Sequence, residues 1–213
     1  MIDFLGYIFL IAGLLMLAGR IINNNITLLA IQSLALTILA FYLGFSGEEI
    51  GWHMVVVGVL TLMIKVIILP WLFYRLVDKI AVLREVSRSV GMVPSILIGV
   101  LLVGLTESYI VPVLLKGIPV ENQLLSVSLS TILLGCYYMI SRRSALSQLL
   151  GVIVMENGLF LCAVAVTGGM PLIIELGIFF DLMVGALVMG LMTYQIRDTF
   201  NTLDTKFLNK LKG

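Results

Sequence analysis

Seven apolar runs, each close to the ~20 residues a helix needs to cross a bilayer, fill most of this chain. They cover Ile2–Gly19, Ile26–Phe45, His53–Tyr74, Val93–Lys116, Gln123–Ile140, Ala145–Thr167 and Pro171–Ile196. With 61% hydrophobic and 12% charged residues among 213, about half the usual ~25% charged, the chain has more apolar surface than a soluble core can hide. The same figures exclude disorder. A net charge of +1 gives no bulk field to attract nucleic acid, so no nucleic-acid partner is expected. The first run opens with Asp3 rather than a basic segment and has no small-residue cleavage site, so it reads as a span and not as a signal peptide.

The basic residues set the orientation. With seven spans, one face collects Arg20, Arg75, Lys79, Arg84, Arg88, Arg142, Arg143, Arg197, Lys206, Lys210 and Lys212, and the other holds Lys116. The expected fold is therefore an all-α integral membrane protein with seven transmembrane helices. Its N-terminus is expected outside and its C-terminus in the cytoplasm. Leu76–Val90 and the tail with Phe200, Leu203, Phe207 and Leu211 are amphipathic and suit the membrane interface or a cytoplasmic partner. Cys136 and Cys162 lie in apolar runs and read as small hydrophobes. Two cysteines make no metal cluster. His53 reads as an interfacial residue.

Five ionisable residues fall inside the runs: Lys65, Glu107, Glu156, Glu175 and Asp181. A charge near the bilayer centre costs at least ~2.5–3.5 kcal/mol, so each needs a partner or a task. Lys65, Glu107, Glu156 and Asp181 all fall close to the midplane of their runs, and Glu175 lies nearer the outer face. Charges aligned at one depth predict a polar track parallel to the membrane, a proton relay in which a buried Lys–Glu pair exchanges a proton when charge nearby changes. Pro70 and Pro112 each follow a charged residue by five positions and leave the carbonyls of Val66 and Ser108 without their usual donor. These breaks open sites for water near the relay, or simply kink the helices for packing. Glu107 reads equally as a hydrogen-bond partner for another subunit, and Glu175 as a solvated interfacial residue. No nucleophile–base arrangement or Gly-rich nucleotide loop is present, so no catalytic residue and no metal site are expected.

The pieces MEN-G at Met155–Gly158, PLIIELGI at Pro171–Ile178 and D-x-x-x-G at Asp181–Gly185 resemble component E of hydrogenase-4. That component is a membrane subunit of formate hydrogenlyase-type and related group 4 nickel–iron hydrogenase complexes. Lys65 with Pro70, and the tail from Thr202 to Gly213, fit the same pattern. The last three spans are also similar to the three-helix K-type subunit of respiratory complex I and the C-type subunit of multisubunit cation antiporters. In that family the last two helices each carry a glutamate. Glu156 matches the first, and Asp181 with Gly185 takes the place of the second.

The resemblance implies three parts: a four-helix segment over 1–118, a K-type-like module over 119–196 and an amphipathic tail over 197–213. It implies a non-catalytic subunit of an energy-converting hydrogenase in a prokaryotic plasma membrane. Such a subunit couples redox chemistry in a peripheral arm to proton or sodium translocation. Its expected partners are antiporter-like and other membrane subunits, peripheral hydrogenase subunits and lipid. No cofactor is expected in this chain, while partner subunits would carry nickel–iron and iron–sulfur centres. An antiporter subunit without a redox arm, and a structural membrane anchor, are the alternatives.

Overall fold

The computed structural model describes residues 2–46, 51–79, 90–116 and 122–167, together with Gly185 and Gly190. All regular structure among them is helical, as expected. Helix α1 covers Ile2–Ala18 and α2 covers Ile22–Phe45. Helix α3 runs through Trp52–Thr61, a π-helical turn at Leu62–Ile68 and Leu69–Lys79. Helix α4 repeats this design with Met92–Leu105, a π turn at Thr106–Ile110 and Val111–Leu114. Helices α5 and α6 cover Asn122–Ser141 and Ala145–Thr167. By length and composition α2 to α6 supply 5 helices able to cross a membrane, and α1 is a shorter apolar helix of 17 residues. Apart from Gly185 and Gly190, the seventh run, Pro171–Ile196, with Glu175 and Asp181, lies outside the described residues, as does the tail.

The π turns follow from the prolines. A proline in a helix lacks an N–H and its ring crowds the carbonyl four residues back. Widening the preceding turn relieves that crowding. In α3 the Leu69 N–H reaches the Ile64 carbonyl, and in α4 the Val111 N–H reaches the Thr106 carbonyl, both five residues back. The breaks expected at Pro70 and Pro112 are thus π turns, and they contain Lys65 and Glu107 respectively.

Two helices run longer than hydropathy alone suggests. Helix α2 starts at Ile22, because Asn25 is buried against α5 rather than solvated. Helix α3 continues past Tyr74, because Leu76 and Val77 are buried. The amphipathic segment expected over Leu76–Val90 therefore begins as the end of α3, and its later residues 80–89 are not described.

In lipid, helices associate through close van der Waals packing, so small residues mark their contacts. The α5–α6 hairpin shows this most clearly. A Cβ on Gly135 would lie 2.6 Å from the Met155 backbone nitrogen, and one on Gly158 would lie 2.9 Å from that of Ile132. On Gly151 it would meet the Met139 side chain at 2.6 Å. Gly99 brings α4 onto Leu17 of α1 in the same way. Helix α2 packs on α1, α3 and α6, and α4 packs on α1 and α5. The Ser144 hydroxyl accepts the Ser147 N–H at 3.2 Å and starts α6.

One end of the bundle gathers the turns α1–α2 and α5–α6 with the end of α3. Arg142 donates to the Leu17 carbonyl at 2.9 Å and the Met16 carbonyl at 3.4 Å. The hydroxyls of Thr27 and Tyr74 are 2.7 Å apart. Exposed Arg20, Arg75 and Arg143 share this end, which is the clustering that the basic pattern requires of an up-and-down bundle. Arg142, counted with them in the sequence, is instead only 2% exposed. Its guanidinium caps the last carbonyls of α1 and stacks 4.6 Å from the Tyr138 ring centre. Burial lowers its pKa below the ordinary arginine value.

Candidate functional site: a buried polar layer at mid-bundle

Near the middle of α2, α3 and α6 five polar side chains meet. Lys65 Nζ donates to Glu156 Oε1 at 3.0 Å and to Asn157 Oδ1 at 3.1 Å. Asn157 Nδ2 donates to Gln32 Oε1 and to Ser33 Oγ, both at 3.3 Å. Gln32 Nε2 then donates to the Phe9 carbonyl of α1 at 3.3 Å. Lys65, Glu156, Asn157, Gln32 and Ser33 are all buried, the last three at 0% exposure.

The bonds in this layer have a fixed sense. Because Gln32 gives its N–H to Phe9, its oxygen faces Asn157. Asn157 then spends its N–H groups on α2, and its oxygen faces the Lys65 ammonium. Lys65 thus holds an ionised acceptor and a neutral one. Separating two ions from solvent costs several kcal/mol per ion, and only good geometry with further hydrogen bonds offsets it. The amide chain is that further support.

Local structure places each group. The π turn at Leu62–Ile68 carries Lys65 on the face of α3 that packs against α2. Glu156 and Asn157 are consecutive on α6, beside the close seam formed by Gly151 and Gly158. Gln32 and Ser33 follow Asn25 by seven and eight positions, two helical turns along one face of α2. A second polar group uses the same stripe. Asn25 Nδ2 donates to Tyr138 Oη at 2.8 Å, and Tyr138 lies under Arg142. A Cβ on Gly19 would overlap the Asn25 amide, so the α1–α2 turn needs glycine there.

The structure joins Lys65 to Glu156 and sets Glu107 apart. Glu107 is exposed on α4. It lines a cavity of about 310 Å³ with Val111, Pro112, Leu115, Gln123 and Ser126. Glu175 and Asp181 lie outside the described residues. His53 is exposed at the start of α3. Cys136 and Cys162 are free and half-buried. Gln32, Ser33, Asn25 and Tyr138 do not stand out in the sequence, and Asn157 does so only within MEN-G at Met155–Gly158. They carry no charge, and the signal that marks them is the seven-residue spacing of Asn25 and Gln32 in an apolar helix.

Residues 123–213 match the family described as NADH-ubiquinone/plastoquinone oxidoreductase chain 4L. The C-terminal region is thus similar to a membrane subunit of complex I-like oxidoreductases. The whole chain is similar to a protein of Mycobacterium tuberculosis named uncharacterized protein Rv0085. The two are 28% identical over 215 residues, spanning 100% of this chain and 96% of that one. No solved structure matches. Glu156 lies inside the region similar to chain 4L and Lys65 lies outside it. The ion pair therefore ties the two parts of the chain together.

Proposed function

We propose that this chain is a non-catalytic membrane subunit of an energy-converting hydrogenase complex, and that it couples redox chemistry in a peripheral arm to ion movement in the membrane. The observation that carries this reading is the buried Lys65–Glu156 pair, held at mid-bundle by Asn157 and Gln32. Transfer of a proton from the Lys65 ammonium to the Glu156 carboxylate leaves a neutral amine and a neutral acid, with no change in net charge. A charge arriving nearby biases that exchange. Asn157 keeps one hydrogen bond on Lys65 in either state. Asp181 and Glu175 of the seventh run would extend the relay, and the basic end of the bundle would face the cytoplasm.

The similarity to chain 4L supports a complex I-like setting, and the resemblance to component E supports the hydrogenase. Nickel–iron and iron–sulfur centres would reside in partner subunits. The antiporter subunit without a redox arm resembles only the C-terminal helices. Here Glu156 draws its counter-ion from the N-terminal segment, which favours the longer subunit. Purification of the assembled complex separates the two, since a nickel–iron large subunit is expected and antiporter subunits alone would overturn the hydrogenase reading. Glu156→Gln in that complex is expected to abolish ion translocation while the subunits stay assembled. Translocation with unchanged coupling would refute the relay.

A further inference from the structure

Among the described helices α2 to α6, α4 is the least covered. Only 17% of its most apolar window is buried, against 61% for α5 and 56% for α6. Val93, Leu97, Leu101, Tyr109 and Val113 are all more than 60% exposed along it. In the midst of this apolar face stands the exposed carboxylate of Glu107. Seven residues separate it from the helix end at Leu114, about 10 Å. A lone carboxylate facing hydrocarbon at that depth is strongly unfavourable, and Glu107 joins no ion pair among the described residues.

The cavity beside it has a second polar wall. The Ser126 hydroxyl is 7% exposed and has no hydrogen-bond partner among the described residues. Glu107 and Ser126 line one space of about 310 Å³, far more than the ~10–15 Å³ that a single water needs. A carboxyl acceptor and a hydroxyl at the mouth of an apolar groove form a receptor for an N–H cation. We propose that the α4–α5 groove docks a transmembrane helix of another polypeptide, and that this helix carries a lysine or arginine paired with Glu107.

Charge complementarity selects this occupant. In the sequence Lys65 is the one base that falls within an apolar run away from its ends, and it is buried in its own pair, so a second copy of the chain is a poor source of a base at this depth. The chain's own seventh run, Pro171–Ile196, carries Glu175 and Asp181 and no base. A lipid amine belongs at the headgroup level, about 10 Å further out.

The test uses the full complex in native membranes, with the photocrosslinker benzoylphenylalanine in place of Val113. The expected adduct is a transmembrane peptide of a different polypeptide with a lysine or arginine beside the link. Glu107→Gln is expected to lower its yield about tenfold with the chain's membrane level unchanged. Glu107→Lys should release the partner on native gels, and a reciprocal base-to-glutamate change in the partner should restore it. Adducts confined to lipid or to a second copy would overturn the proposal, as would a crosslink yield that Glu107→Gln leaves unchanged. The relay reading is untouched by either result, because Glu156→Gln should leave the crosslink intact.

Discussion

Helices α3 and α4 are built alike but turn their charges opposite ways. Each has a π turn, a charged residue within it and a proline five positions on. In α3 the charge turns inward, where Glu156 and Asn157 receive Lys65. In α4 the charge turns outward, and Glu107 lines a groove on the bundle's surface. The local device is the same, so it does not decide the role. The neighbours decide it: α3 packs on α2, next to α6, whereas α4 is a peripheral helix resting on α1 and α5.

The contrast can be broken by substitution. Lys65→Met should have the largest effect, destabilising the bundle by about 3–5 kcal/mol because it takes the ammonium away from a buried carboxylate. The Lys65→Met/Glu156→Leu double variant should recover most of that loss, as thermal unfolding in detergent would show. If the single and double variants unfold alike, the pair is not an energetic unit. Gly135→Leu should come next, at about 1–3 kcal/mol, by forcing α5 off the Met155 backbone. Asn157→Leu should cost a similar ~1–3 kcal/mol, since it strips an acceptor from Lys65 and a donor from Gln32. Its sharper readout is impaired ion coupling at a temperature where the complex remains assembled. Tyr138→Phe removes the bond from Asn25 and should cost about 0.5–1.5 kcal/mol. Glu107→Gln should change the unfolding of the detergent-solubilised chain by less than about 0.5 kcal/mol, as expected of an exposed residue. A large destabilisation there would mean that Glu107 is held within the chain after all.

Much of this arrangement can be read from residue order. The apolar runs locate six helices, because backbone groups in lipid must bond within their own segment. The basic residues gather the turns at one end. Lys65 and Glu156 stand out because ions at midplane are costly, and the same reasoning raises Glu107. What residue order leaves open is rotation. One charge and one proline on a helix do not say which way the charge points, so Lys65 and Glu107 look equivalent until the helices are packed. Arg142 shows the same limit. Beside Arg143 it reads as a solvent-facing base, yet the turn folds it under α1, where Leu17 and Met16 offer bare carbonyls. The pairing of the Gln32 and Asn157 amides is hidden in residue order for a different reason. Uncharged groups cost little when paired, and their pairing crosses 125 residues of chain.

The claim at the centre is that the Lys65–Glu156 pair changes protonation during turnover. Infrared difference spectroscopy of the assembled complex, between oxidised and reduced states, tests it directly. A carboxylic-acid carbonyl band that appears on reduction and vanishes in Glu156→Gln is the expected result. A difference spectrum with the same carboxyl bands in both proteins would show that Glu156 is a fixed ion-pair partner, and the relay would fall.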